Sequence, residues 1–117
     1  DGLLQCFFHL GIAGISGLSP HSPDYSAAKG GVVAFTKAVA AEVAPANITV
    51  NAIAAGGIAT PDFSALLEKF GEKSLRGHPL QRLGSIEEYA ALAVFLASEE
   101  AAYIIGQVIS PNGGILI

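Results

Sequence analysis

Short apolar segments that end in glycine alternate with helical segments along this chain, and this alternation constrains the fold more than any other feature. The first segment, residues 3–10, is nearly continuous in apolar side chains and stops at Gly11. It predicts a central strand buried on both faces of a parallel sheet. Residues 47–54 predict the next strand, and residues 107–110 predict a short last one. Strand–helix–strand units in this order are typical of right-handed crossovers in an α/β fold.

Helical segments fill the intervals between these strands. A loop dense in Gly, Ser and Pro spans residues 11–23. Residues 25–44 then predict a helix of about five turns, with Asp24 as its N-cap. Residues 61–75 predict a short helical cap, and residues 85–97 predict a further helix. The 117 residues are enough for one compact domain.

Charge and hydropathy exclude several classes of partner. Six Lys and Arg against ten Asp and Glu give a net charge of −4, and the basic residues do not cluster. Nucleic acid is therefore not an expected partner. Every apolar stretch is broken well before the ~18 residues of a membrane helix, and no basic leader opens the chain. We expect a cytoplasmic protein that has no membrane partner.

The imidazole and thiol groups form no metal-binding pattern. His9, His21 and His78 have no ligand-like spacing with one another or with a pair of carboxylates, so no metal site is expected. We interpret His9 as a core histidine and the other two as loop residues. Cys6 lies within an apolar run and predicts a buried structural thiol.

Two features of the composition indicate a piece of a longer protein. The chain has no Met and begins with Asp1. Its residues are 51% hydrophobic and only 14% charged, more apolar than a small monomer can bury. We expect part of this apolar surface to face further chain or other subunits.

The helix predicted over residues 25–44 carries a face of small apolar residues. One side of such a helix packs on its own sheet, and the small side lets another helix approach closely. We therefore predict a homo-oligomer built through this helix and the C-terminal strand. The small face comprises Ala27, Ala28, Gly31, Ala34, Phe35, Ala38 and Ala41.

Tyr25 and Lys29 are four residues apart on the predicted helix, directly after the glycine-rich loop. This spacing places both side chains on one face of the helix, near its N-terminus. An ammonium group close to a phenol favours the phenolate, which suits the phenol to proton transfer. The same spacing also fits a lysine whose stem lies beside a packed tyrosine.

Four motifs in order resemble the short-chain dehydrogenase/reductase family, close to its 3-oxoacyl-carrier-protein reductase type. Residues 25–31 resemble the Tyr-x-x-x-Lys signature, and residues 48–60 are similar to the strand and loop beneath the nicotinamide. Residues 79–88 and 96–114 resemble the helix start after the substrate lid and the last strand. The resemblance implies a Rossmann-like doubly wound parallel sheet, of which this chain is the C-terminal half, with three strands and crossover helices. The phosphate-binding half would precede residue 1.

The resemblance also implies an activity and a set of site residues. It implies an NAD(P)-dependent oxidoreductase that interconverts a carbonyl and an alcohol on a small molecule. Tyr25 would be the general acid/base, and Lys29 would assist it and bind the nicotinamide ribose. The residues that the resemblance assigns to binding NAD or NADP are Tyr25, Lys29, Ala55, Gly56, Ile58 and Thr60.

The chain departs from the family pattern at three places. Gly11 stands where the family has its catalytic serine, and Ala55 stands where it usually has proline. We expect the first change to remove a donor to the substrate oxygen and the second to loosen the loop. No glycine-rich phosphate turn follows a strand. Ser16, Ser19 and Ser22 are interpreted as loop hydroxyls without a role.

These departures keep two other functions open. One is a catalytically inactive binding or scaffold subunit, in which Tyr25 is only a packed tyrosine. The other is a ligand-sensing module that binds nicotinamide without turnover. The choice between NAD and NADP, the substrate and the reaction direction also stay open. We expect the 117 residues alone to transfer no hydride at a measurable rate.

Overall fold

The computed structural model, which describes residues 2–17 and 22–117, contains a parallel sheet of three strands. The strands are β1 (Leu4–Gly11), β2 (Ile48–Ala55) and β3 (Val108–Ile109), in the order β1-β2-β3. This confirms the parallel sheet and crossover connections predicted from the sequence. Ser19 and His21, interpreted above as loop residues, lie outside the described residues.

Four α-helices and three short 3₁₀ helices connect the strands. The segment 11–23, predicted as loop, contains one of these helices. Pro23 takes the first helical position of the long helix, so the N-cap is Ser22 rather than the predicted Asp24. The α-helices are α1 (Ala13–Ser16), α2 (Pro23–Val43), α3 (Pro61–Phe70) and α4 (Ile86–Leu96), and the 3₁₀ helices are Ala44–Ala46, Gly71–Leu75 and Glu99–Ala101.

The prediction that the first strand is central is wrong for the described residues. Strand β2 occupies the centre, and seven of its eight residues are buried. Strand β1 lies at an edge of this sheet, where Leu10 is its one fully buried residue. Cys6 is exposed rather than buried as predicted, because the helices packed on the sheet leave this part of β1 uncovered.

The core consists of two apolar clusters on opposite faces of the sheet. Neighbouring strand residues point to opposite faces, so Ala52 and Ala54 lie in one cluster and Ile53 in the other. The first cluster is completed by Leu10 and packs against α2. The second contains Leu96 of α4. Helices therefore cover both faces, as in a doubly wound sheet.

Asn51 joins the middle of β2 to the segment before β3. Its side-chain amide donates to Ile104 O at 2.9 Å, and its oxygen accepts from Gln107 N at 3.0 Å. The side chain is 1% exposed, so both hydrogen bonds satisfy groups that would otherwise be buried without partners. Asn51 therefore has a structural role.

The small apolar face of α2 is exposed. The helix instead buries Thr36 and Ala40 against the sheet, and the Thr36 hydroxyl donates to Val32 O at 2.7 Å. That hydrogen bond explains how a polar side chain lies on the buried face. The exposed face carries the small residues of the predicted contact and one half-exposed ring: Ala27, Ala28, Gly31, Ala34, Phe35, Ala38 and Ala41.

Neither a membrane-spanning helix nor a metal-binding cluster is found among the described residues. Across residues 2–17 and 22–117, none of the helices combines the length and the apolar character that crossing a bilayer requires. The same residues contain no group of three or more His, Cys, Asp or Glu side chains that could hold a metal ion.

Candidate active site

The register of the sheet brings the ends of β1 and β2 together. Gly11 pairs with Ala55, so strands β1 and β2 end side by side at the carboxyl edge of the sheet. Parallel α/β sheets bind ligands at this edge. A cavity of about 700 Å³ opens there, a volume typical of small-molecule sites. All six residues that the sequence assigned to the site line this cavity: Tyr25, Lys29, Ala55, Gly56, Ile58 and Thr60.

Tyr25 and Lys29 enter the cavity from the first two turns of α2. Their spacing of one helical turn places the Lys29 Nζ atom 5.5 Å from the centroid of the Tyr25 ring. This distance allows a favourable interaction between the ammonium charge and the ring. The cavity therefore contains both the Tyr25 phenol, which can donate or accept a proton, and the Lys29 ammonium group.

Gly14 of α1 sets how closely α2 approaches the end of β1. A Cβ atom at Gly14 would lie 2.7 Å from the Lys29 carbonyl oxygen and 2.6 Å from Leu10 Cδ1. No side chain fits between the two helices at this point, so only glycine allows the contact. The backbone of Lys29 is thereby fixed against β1.

Gly11 lies directly beside the phenol. An ideal Cβ atom at Gly11 would be 3.3 Å from the Tyr25 Oη atom. The position at which the sequence lacks the family's serine is therefore next to the hydroxyl of Tyr25. A Cβ atom here would require a shift of a few tenths of an ångström in the phenol, and glycine supplies no side-chain donor.

Residues 56–60, here called the glycine loop, are held from two sides. The Gly56 N–H donates to Pro111 O at 3.0 Å. On the other side, Gly84 N donates to Gly57 O at 2.9 Å and Ala59 N donates to Gly84 O at 2.8 Å. These hydrogen bonds join the loop to the segment after β3 and to the segment before α4.

These contacts limit which groups of the loop could meet a ligand. The Gly56 N–H is already occupied, because it donates to Pro111 O. A ligand contact through the Gly56 backbone would have to use its carbonyl group. Ala55, which stands where the family usually has proline, is buried at the end of β2, and its carbonyl accepts from Ile12 N at 3.1 Å. The expected loosening of the loop stays a prediction.

Thr60 has a structural contact in addition to its place on the cavity wall. It is the N-cap of α3, and its Oγ1 atom accepts from Phe63 N at 3.4 Å. The hydroxyl proton remains able to donate to a second partner. Thr60 can therefore start the helix and contact a ligand with the same side chain.

The apolar wall of the cavity is a part of the site that sequence reasoning missed. Phe63, Leu66 and Leu67 are spaced three and four residues apart on α3, the pattern of one helix face. That spacing was the available signal, although it indicates an amphipathic helix without saying what its apolar face covers. The wall consists of Phe63, Leu66, Leu67, Leu75, Leu83 and Ile115.

Two histidines also line the cavity, contrary to their interpretation as core and loop residues without a site. His78 lies just before the segment that returns to the glycine loop. His9 is exposed, and its Nδ1 atom is 2.7 Å from the Tyr89 Oη atom. Burial raises the pKa of the Tyr89 hydroxyl, so Tyr89 meets His9 as a neutral phenol. No signal in the sequence pairs residues 80 positions apart.

Comparisons of the sequence with known proteins indicate one family. The family model described as enoyl-(acyl carrier protein) reductase matches residues 8–116. The 3-oxoacyl-[acyl-carrier-protein] reductase FabG of Thermotoga maritima is 46% identical over 91% of this chain and 43% of its own length. The acetoacetyl-CoA reductase of an Acinetobacter strain is 42% identical over 89% of this chain and 43% of its own. The chain thus spans less than half the length of these relatives.

Solved structures agree with the sequence relatives. YwfH, an NADPH-dependent reductase involved in bacilysin biosynthesis, superposes with a TM-score of 0.86 at 37% identity over 94% of this chain and 46% of its own. A proposed 2-deoxy-D-gluconate 3-dehydrogenase from Agrobacterium tumefaciens, solved with bound NADP, gives a TM-score of 0.86 at 35% identity over 95% and 46%. With the family match and the Rossmann-like parallel sheet, these similarities show that the chain belongs to the short-chain dehydrogenase/reductase family.

Proposed function

We propose that the protein carrying this chain is an NAD(P)-dependent oxidoreductase that interconverts a carbonyl and an alcohol, with Tyr25 and Lys29 as its acid–base pair. The observation that carries the proposal is the shared cavity, which Tyr25, Lys29 and the glycine loop line together. Two related structures support the cofactor, one named as NADPH-dependent and one with bound NADP. Relatives named as 3-oxoacyl and acetoacetyl reductases support carbonyl chemistry.

The residues present fit the nicotinamide end of such a cofactor. The cavity has a broad apolar wall for a flat ring and few polar groups to orient it, as small-molecule sites commonly do. The Lys29 ammonium can donate to ribose hydroxyls, and Thr60 can donate to the carboxamide. When bound, the reduced cofactor supplies a hydride to the carbonyl carbon.

Tyr25 handles the proton that balances this hydride. In reduction, the Tyr25 hydroxyl donates its proton to the carbonyl oxygen as that oxygen gains negative charge, so a C=O group becomes CH–OH. In oxidation, the phenolate accepts the proton of the alcohol. The Lys29 ammonium stabilises the phenolate in both directions because the opposite charges lie within one cavity.

Substitution of Tyr25 tests the proposal. Tyr25→Phe keeps the ring and removes the hydroxyl, so kcat for carbonyl reduction is expected to fall by a factor of about 10²–10⁴. Affinity for NADPH should fall far less than kcat, because Tyr25 is one of several residues assigned to the cofactor. Tyr103→Phe is the matched control, because Tyr103 is fully exposed and outside the cavity. The intact mass of the purified protein should be measured before the kinetics. This chain alone accounts for 11.9 kDa, and its relatives are more than twice as long as the chain.

Gly11 favours a second candidate, a subunit that binds the cofactor or assembles without turning substrate over. The Gly11 position itself carries no hydroxyl beside Tyr25, so this position supplies no donor to the substrate oxygen. The same experiment separates the candidates. In a scaffold or sensor, Tyr25→Phe leaves assembly and NADPH binding intact and there is no activity to lose.

We further propose that the protein forms a homo-oligomer through α2 and the C-terminal strand. The support is the exposed stripe of small residues on α2, at the spacing that lets two helices approach closely. Ala34→Glu in the middle of the stripe should shift the protein to monomer in sedimentation velocity at micromolar concentration. Ala46→Glu, exposed beyond the end of α2, should leave the oligomer unchanged. A wild-type monomer under these conditions would contradict the proposal.

A further inference from the structure

Residues 110–116, here called the C-terminal turn, contact the glycine loop from behind and contribute Ile115 to the cavity wall. The Ser110 hydroxyl donates to Ala54 O at 2.7 Å, which attaches the turn to the end of β2. Pro111 O accepts the N–H of Gly56 at 3.0 Å. The first two residues of the turn are thus bonded to the last part of β2 and to the start of the glycine loop.

Asn112 folds this turn through its side chain. Its Nδ2 group donates to Ser110 Oγ at 2.8 Å and to Leu116 O at 2.9 Å, and its Oδ1 accepts from Gly114 N at 2.8 Å. The turn reverses at Gly113 and Gly114, whose φ angles are 64° and 87°, a conformation that glycine adopts without strain. All the hydrogen bonds of the Asn112 amide stay within the turn, so it sets the shape of the turn.

The C-terminal turn is in tight van der Waals contact with the glycine loop. A Cβ atom at Gly56 would lie 2.9 Å from Asn112 Cα and 3.0 Å from Asn112 Cβ. On its other side, Gly113 O accepts from Leu80 N at 3.3 Å, two residues after His78 of the cavity wall. A change in the shape of the turn therefore moves Gly56 directly.

We propose that Asn112 is a positioning residue that fixes the glycine loop, and with it the nicotinamide, at the distance from Tyr25 that hydride and proton transfer require. The inference rests on the proposed function. Asn112 does not line the cavity, so it acts through Gly56. A misplacement of ~1 Å between reacting groups costs about 100-fold in rate. Loss of Asn112 should therefore lower kcat much more than it lowers stability.

The test compares Asn112→Ala with Asn51→Ala in the protein that carries this chain. Asn51 is the matched control, because it is a buried asparagine with two hydrogen bonds to the segment before β3, at a distance from the loop. For each variant we measure Tm, kcat, KM for the carbonyl substrate, and Kd for NADPH and for 2′-phospho-ADP-ribose, which lacks nicotinamide. Asn112→Asp is the intermediate variant, since it keeps the acceptor for the Gly114 N–H but loses the donors to Ser110 Oγ and Leu116 O.

The expected pattern is specific to positioning. Asn112→Ala lowers kcat by about 100-fold and weakens NADPH binding, while Kd for 2′-phospho-ADP-ribose stays within about twofold. Asn112→Asp keeps one of the hydrogen bonds of the turn and recovers only part of the rate. Asn51→Ala lowers Tm at least as much with little change in kcat. Equal kcat losses in both alanine variants, or wild-type kcat in Asn112→Ala, overturn the inference alone. A wild-type protein that binds no nicotinamide cofactor overturns the proposed function and the inference with it.

Discussion

Replacing Gly11 by serine is expected to raise the rate of carbonyl reduction. Gly11 ends β1, and an ideal Cβ atom there lies 3.3 Å from the Tyr25 Oη atom. A serine hydroxyl, one bond further out, would therefore reach the space in which the phenol meets a substrate oxygen. The backbone of Gly11 is extended strand, which any residue adopts.

The size of the gain follows from the chemistry of this position. A donor aimed at the oxygen that gains negative charge is worth about 10²–10³ in kcat. Against this stands a small steric cost, because the Tyr25 ring must move by a few tenths of an ångström. We expect a net gain of about 100-fold in kcat, with KM changing less.

Gly11→Ala is the control for this experiment. It adds the same Cβ atom beside Tyr25 without a hydroxyl, so it carries the steric cost and none of the gain. The assay follows NADPH oxidation at 340 nm with a simple ketone, together with the Tm of each variant. If Gly11→Ser and Gly11→Ala show the same kcat with folded protein, the missing donor does not limit this site and the reasoning is wrong.

Two further predictions concern stability. The fold holds the pKa of the Glu88 carboxyl at about 2, below its ordinary 4.5, chiefly because Arg82 donates two hydrogen bonds to it at 2.7 and 2.8 Å. The carboxylate therefore stabilises the fold above pH 4.5 and loses this effect as the pH falls through about 2. In thermal melts, Glu88→Gln should be slightly less stable than wild type near neutral pH and equally stable at the acid end. A difference in Tm that stays constant with pH would contradict this. Leu96→Ala, at a site 1% exposed, should lower the free energy of unfolding by about 2–5 kcal/mol in denaturant titrations, whereas Ile117→Ala, fully exposed, should stay within about 0.5 kcal/mol.

Local patterns in the sequence predicted most of the secondary structure. Strands β1 and β2 are apolar runs closed by glycine, and helix α4 begins at Ser85, whose hydroxyl accepts from Glu88 N in a capping box. The pairing of Tyr25 with Lys29 follows from one helical turn. Such features depend on neighbours within a few residues, so a single sequence contains them.

Other features depend on residues far apart in the chain, and local patterns do not carry them. An apolar strand can lie at the centre or at the edge of a sheet, and its own residues do not distinguish the two positions. The residues of β1 therefore do not reveal that this strand lies at an edge. His9 meets Tyr89 only because α4 packs over the sheet. The Gly56 N–H is occupied because the chain returns 55 residues later with the Pro111 carbonyl.

The tight contact at Gly14 has a consequence for engineering this protein. Residues of the cavity wall such as Leu66, half exposed on α3, can be randomised to change which molecules are accepted, since their neighbours can repack. Gly14 contributes no atom to the cavity, yet any larger residue would push against the backbone of Lys29. In a library of random variants, the strictest selection in this region should therefore fall on a residue that never meets the ligand.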